Sequence, residues 1–231
     1  MVESLQTFHD RVDGFQRDSL PHEYGFSTSA GLEAKVDAWG GLKPYFGNTV
    51  IYELDNEVKV ALSKRQVLLH HRISECLAVP ISPETFHITL HDLISSSDEY
   101  VIAKEVKHTG ECAKALLEEI KERGIPPIRM VSTHVFSMVN TSIVMGFAPE
   151  REKDCGTLMA LYERFHAVKP LSWGLTPHVT LAYYKPGYYN QEWTKRINGV
   201  FHEAESMPPV RITLSPEALF YRTFRDMNTY L

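Results

Sequence analysis

Two stretches decide how this sequence reads: Phe86-His87-Ile88-Thr89-Leu90-His91 and, after an interval long enough to hold a half-domain, Pro177-His178-Val179-Thr180-Leu181-Ala182. Each runs His, aliphatic, Thr, Leu. Side chains alternate faces along a β-strand, so His87 and Thr89 share one face while Phe86, Ile88 and Leu90 take the other. In the second copy His178 and Thr180 oppose Val179, Leu181 and Tyr183. An imidazole moves a proton near neutral pH, and a hydroxyl two residues on donates a hydrogen bond to an oxyanion. Two such pairs make a general acid and a general base.

Outward from these strands, the pattern predicts the remaining elements. Residues 1–20 carry one amphipathic stripe (Leu5, Phe8, Val12, Phe15), and 21–47 read as an arm with one short helix near Leu32–Trp39. Thr49–Leu54 is β-branched and aromatic, the signature of a core strand. Asp55-Asn56 then caps a helix whose stripe runs Val58, Leu62, Leu69, Ile73, Leu77 until Pro80 and Pro83 stop it. Past the first motif, a polar loop at Ser95–Glu99 leads to a helix over Glu99–Arg123, with Gly110 as a candidate break within it. Ile128–Val135 and Ser142–Phe147 form a hairpin around Asn140, followed by a helix from Glu150 to about Val168. After the second motif come a helix over Gln191–Glu205 and strands at Val210–Leu214 and Ala218–Arg225. No low-complexity linker intervenes. The order strand, helix, His-x-Thr strand, helix, strand recurs, which implies two similar α+β lobes facing each other across a cleft.

Composition narrows the function classes. The 231 residues are 43% hydrophobic and 23% charged, as in an ordinary globular protein. A net charge of −5 argues against a general nucleic-acid scaffold, which needs a basic excess to neutralise phosphates. A small phosphorylated ligand or an RNA end is compatible with it, and DNA is not expected as a partner. Cys76, Cys112 and Cys155 are widely spaced and odd in number, so neither a zinc ribbon nor a disulfide framework is expected. The first ten residues are polar and acidic, and no run approaches the roughly 18 apolar residues of a membrane span. The expectation is a cytoplasmic protein, monomeric by default, without cofactor or metal.

The paired His-Ile-Thr-Leu and His-Val-Thr-Leu stretches, in a chain of this size and element order, resemble the two-histidine phosphoesterase superfamily. That superfamily includes the bacterial RNA 2′,5′-ligase-like (LigT-like) proteins and the cyclic nucleotide phosphodiesterases of plants and myelin. A lone His-x-Thr is weak, since eleven histidines would yield on the order of one by chance, but the doubled motif is far rarer. The resemblance covers roughly residues 48–225. It implies two pseudo-symmetric lobes, each an antiparallel sheet with helices on its outer face, enclosing a central cleft, with residues 1–47 as an N-terminal arm or helical extension and 48–231 as the bilobal domain.

By that resemblance His87 and His178 are the catalytic residues and Thr89 and Thr180 bind phosphate. The implied activity is metal-independent hydrolysis of a cyclic phosphodiester such as the 2′,3′-cyclic phosphate of a nucleotide or RNA end. RNA 2′,5′ ligation is the alternative within the class, and a non-catalytic nucleotide- or RNA-end-binding module the alternative outside it. The period-two pattern puts His91 on the polar face, a possible rim residue along with Tyr184 and Lys185. Lys185, Arg222 and Arg225 are candidate cations for the phosphate. Tyr183, Tyr184, Tyr188 and Tyr189 serve lobe packing or a stacking platform for a base.

Overall fold

The computed structural model describes residues 3–18, 21 and 24–231. The chain runs α1 (Leu5–Asp18), β1 (Gly25–Ser27), β2 (Phe46–Glu53), α2 (Asn56–Ile73), β3 (His87–Ser96) and α3 (Glu99–Arg123). It continues with β4 (Ile128–Met138), β5 (Ser142–Pro149), α4 (Glu152–His166), β6 (His178–Tyr183), β7 (Tyr188–Asn190), α5 (Gln191–Glu205), β8 (Arg211–Leu214), β9 (Leu219–Asp226) and β10 (Thr229–Tyr230). Two four-stranded antiparallel sheets form, ordered β10-β9-β2-β3 and β6-β5-β4-β8. Both His-x-Thr strands lie at sheet edges, and these two edges touch. The two-lobed α+β architecture expected from the sequence is present.

The helices tie the lobes together. α2 follows β2 yet packs on β6, and α4 follows β5 yet packs on β3 as well as on β4 and β5. α3 backs β3, β2 and β9. The last strand pair, β9 and β10, returns to the first sheet, so the first lobe is finished only by the end of the described chain. Helix ends follow their caps: Asp55 accepts from Val58 N at 2.8 Å, Asp98 from Tyr100 N at 3.0 Å, and Asn190 from Trp193 N at 3.1 Å. Gly110 does not break α3. A Cβ there would lie 2.6 Å from Tyr221 Oη, so this glycine lets the helix close on β9.

The expected helix over residues 1–20 is seen as α1, with residues 1, 2, 19 and 20 outside the described chain. Its Phe8 and Val12 are fully buried in the same continuous core that fills both lobes, and the helix lies against α4, β4 and β5. The short helix near Leu32 is a 3-10 turn at Ala30–Ala34, with Leu32 and Val36 in the core. The hairpin expected around Asn140 joins β4 to β5 through left-handed Val139 and Asn140, at φ 42 and 56.

Two buried amides fix strand paths. Asn48 donates to Val106 O, Thr109 Oγ1 and Tyr221 Oη, and accepts from Ile94 N at 3.0 Å. Gln66, on α2, donates to Ile81 O at 2.9 Å and to Leu181 O at 3.0 Å, linking the first-lobe helix to the second motif strand. Replacing Gln66 by Leu strands two carbonyls away from water, and a buried unsatisfied group costs about 1–3 kcal/mol. Gln66→Leu is expected to lower the urea midpoint with the slope unchanged. An unaltered midpoint would show that both carbonyls find other partners.

Candidate functional site

Two residues before each motif strand a threonine holds the strand's first histidine. Thr85 ends a 3-10 turn capped by Ser82, and its carbonyl lies 2.6 Å from His87 Nδ1. Thr176 precedes Pro177, and its carbonyl lies 2.7 Å from His178 Nδ1. A carbonyl only accepts, so Nδ1 carries the hydrogen in both rings and Nε2 is left as the nitrogen that exchanges a proton. The repeat is therefore longer than His-x-Thr: a threonine stands two residues before each histidine, a signal present in the sequence but not in the motif as first defined.

The faces divide as period two requires. Ile88, Leu90, Val179 and Leu181 are at most 1% exposed, whereas His87, Thr89, His178 and Thr180 are half-buried at the cleft. Beyond the threonines the alternation breaks. The pairing of β2 with β3 steps from Ile51↔Thr89 to Val50↔His91, and that of β5 with β6 from Val144↔Thr180 to Ile143↔Ala182. Each step is a β-bulge at the motif leucine, Leu90 or Leu181, and a bulge reverses the facing of the residues beyond it.

That reversal relocates three side chains. His91, expected on the polar face, is 1% exposed and packs on α4 against Tyr162, Phe165 and His166, with ring centroids 5.2, 6.4 and 6.1 Å away. Neither of its ring nitrogens has a partner of hydrogen-bond geometry among the described residues. Asp92 takes the cleft-side place instead, exposed to solvent. Tyr183, expected on the core face, is turned the other way by the bulge and lies buried within reach of the Asp92 charge.

The other expected rim residues lie elsewhere. Tyr184 is fully buried against Phe26 and Tyr189, ring centroids 5.4 and 5.8 Å away. The side chain of Lys185 runs along Gly40 beside Ala78, and its backbone N–H donates to Cys76 O. Of the candidate cations, Arg222 is paired with Glu53 and stacked over Phe220, and Arg225 lines a groove between α3 and β9. Lys35, on the loop before β2, acts on Asp92 and lies over the Tyr45 ring at 5.0 Å. Tyr230 of β10 meets the His87 ring edge-on at 4.8 Å. Sequence reasoning missed Asp92, Lys35 and Tyr230, because the first needs the bulge and the others come from distant segments.

Burial governs the electrostatics. His87 is pushed down to about 4, first by burial and then by the charge of His178, against the Thr85 carbonyl and Glu53, which raise it. Burial also lowers His178, while the Thr176 carbonyl and Asp92 oppose it. Desolvation raises Asp92, with His178 and Lys35 pulling the other way. Tyr183 and Tyr230 are raised by burial and stay neutral donors. Both imidazoles of the free protein are thus neutral near pH 7.

No protein-family model matches the sequence, and no curated protein does. Among solved structures, the chain is similar to a conserved protein of unknown function, ATU0111 of Agrobacterium tumefaciens, at 17% identity and TM-score 0.65, covering 89% of this chain and 91% of that one. The likeness is one of fold. Solved structures of E. coli LigT are also similar, with 3′-AMP bound (12% identity, TM-score 0.49, 81% and 94% covered) and in the apo form (14%, 0.47, 81% and 94%).

The lowered histidines make a stability prediction. His91, pushed down to about 4 by burial, with His166 adding to the effect and the Asp92 backbone only partly offsetting it, binds its proton less readily folded than unfolded. Its share of stability is complete above the ordinary histidine range near 6.5 and is lost as pH falls toward 4. Urea midpoints should therefore fall over that window, and His91→Leu should fall less steeply. Parallel acid arms in the two proteins would contradict this placement of His91.

Proposed function

We propose that this chain is a two-histidine phosphoesterase that hydrolyses a cyclic phosphodiester, the 2′,3′-cyclic phosphate of a nucleotide or of a short RNA end. The observation that carries the reading is the meeting of two edge strands with matched imidazoles, each held through Nδ1 by the carbonyl two residues upstream. In-line attack on a cyclic phosphate needs a base on the water side and an acid on the leaving side. Paired imidazoles with free Nε2 atoms suit both tasks. Thr89 and Thr180 hydroxyls donate to the non-bridging oxygens, where negative charge gathers in the transition state.

Burial disfavours a proton on either ring, but a bound phosphodiester brings a negative charge between them. An opposite charge within a few ångströms raises an imidazole's pKa. Substrate binding therefore supplies the missing proton affinity, and one ring becomes imidazolium as the complex forms. The net charge of −5 and the carboxylate of Asp92 at the cleft favour a small nucleotide or short end over a long RNA.

The test is hydrolysis of the four nucleoside 2′,3′-cyclic monophosphates in EDTA, with product position read by phosphorus NMR. His87→Ala and His178→Ala should each lose at least about a hundredfold in kcat/KM. The kcat/KM profile, which reports the free protein, should be a bell centred on the acid side of 6.5, because burial lowers both rings. The kcat profile should lie at higher pH. Turnover insensitive to both substitutions would sink the proposal; nucleotide-dependent thermal stabilisation without product would instead favour a binding module.

A further inference from the structure

His87 is gripped from two sides by one distant segment. The hairpin of β9 and β10 turns at Asp226–Thr229, and Asp226 locks that turn: its Oδ1 accepts from Asn228 N at 2.7 Å and its Oδ2 from Thr229 Oγ1 at 3.0 Å. Met227, 6% exposed, pins the turn to the core. Beyond it, Leu231 N donates to Thr223 O at 2.8 Å and Thr223 N to Leu231 O at 3.2 Å. A turn closed by its own carboxylate, a buried methionine and a backbone pair is firm enough to hold what it touches.

The first grip is on the turn that feeds β3. Asn228 Oδ1 accepts from Ser82 N at 2.6 Å; a backbone N–H only donates, so it is the amide oxygen that faces it. Ser82 caps the 3-10 turn, and its carbonyl accepts from Thr85 Oγ1 at 2.7 Å and from Thr85 N at 2.9 Å. The Thr85 carbonyl in turn lies 2.6 Å from His87 Nδ1. Contacts therefore run without a gap from Asn228 through Ser82 and Thr85 to the imidazole. The second grip is on the ring itself. Tyr230 meets it edge-on, centroids 4.8 Å apart and planes at 61°. Phe224 backs Tyr230 at 5.6 Å, and Tyr45 stacks on Phe224 at 6.3 Å. The carbonyl sets which nitrogen carries the hydrogen, and the tyrosine edge sets the tilt of the ring.

We propose that the β9–β10 hairpin positions His87 for catalysis, Asn228 by fixing the turn that presents the Thr85 carbonyl and Tyr230 by direct contact with the ring. This rests on the phosphoesterase reading. Asn228 and Tyr230 are positioning residues: they act through His87, and neither is asked to move a proton. The hairpin pairs in the first sheet and not in the sheet that carries His178, so its effect falls on one half-site. Without Asn228 the Thr85 carbonyl loses its anchor. An imidazole with no fixed acceptor at Nδ1 samples the other tautomer, in which Nε2 already carries a hydrogen and has no lone pair to take a proton. Without the Tyr230 ring the imidazole swings about Cβ–Cγ, and misplacing a reacting nitrogen is costly in rate.

The test reads the tautomer of both imidazoles by two-bond proton–nitrogen NMR in the whole chain at neutral pH, with signals assigned by His87→Gln and His178→Gln. In Asn228→Ala the His87 nitrogens should move from the pattern of an Nδ1-bound hydrogen toward a mixture of tautomers, while those of His178 hold. Tyr230→Leu should shift or broaden the same His87 signals. Hydrolysis of a nucleoside 2′,3′-cyclic phosphate should fall about tenfold in kcat in each, with KM little changed. Tyr230→Phe keeps the ring edge and should stay close to the wild-type rate. Unmoved His87 signals in both Asn228→Ala and Tyr230→Leu, or equal movement of the two histidines, overturn the proposal. So does a Tyr230→Phe rate as low as that of Tyr230→Leu, which would make the hydroxyl the working part. His87 responding as expected in a protein whose wild type hydrolyses no cyclic phosphate overturns the phosphoesterase reading instead, since the tautomer needs no turnover.

Discussion

Buried side chains hold the bulges that shape the cleft. The Thr49 hydroxyl takes the carbonyl just past the bulge in β3, and the Gln66 amide takes the Leu181 carbonyl at the bulge in β6. An edge strand with free backbone groups is ordinarily a liability. Here the two edges face each other, so each is covered by the other lobe instead of inviting another chain. Because each bulge comes directly after its threonine, the His-x-Thr pairs keep regular alternation while the next residues are re-aimed. The cleft gains Asp92, Tyr183 follows the same reversal, and the core gains His91 and Ala182.

The lobes hold this geometry by exchanging helices. α2 lies under the second motif strand and α4 under the first, so neither strand is backed only by its own half. A single core runs through both lobes and includes Phe8 and Val12 of α1. Displacing one imidazole relative to the other therefore means disturbing this shared core, and packed interiors resist continuous deformation. Such stiffness would suit the proposed proton transfer, where a shift of about 1 Å costs on the order of a hundredfold in rate. Both rings are oriented by backbone carbonyls, which are fixed by the strand starts.

Much of this is legible in the sequence. The doubled motif gives the strands, the facing of their first four residues and the pairing of two lobes; Asp55, Asp98 and Asn190 announce helices where they occur. The period-two rule fails at Leu90 and Leu181, because nothing local in His-x-Thr-Leu marks a bulge whose cause, a Thr hydroxyl or a Gln amide, is supplied from another element. It misfaces His91 and Tyr183 for that reason. Asp92 escapes it because one residue's offset puts that carboxylate on the wrong side. Tyr230 and Lys35 come from segments far from either motif, and only the closing of the first sheet by β9 and β10 brings Tyr230 to His87. The threonine two residues before each histidine is readable as a repeat, but it is its carbonyl, not its side chain, that holds the ring.

The proposed chemistry stands on two imidazoles from separate sheets converging on one phosphate. A crystal structure of the protein with a nucleoside 3′-monophosphate, a product of the proposed reaction, tests that convergence most directly. One phosphate should bridge the cleft, with oxygens about 3 Å from Nε2 of both His87 and His178 and from the hydroxyls of Thr89 and Thr180. A phosphate bound outside the cleft, or held by one histidine with the other turned away, would contradict it.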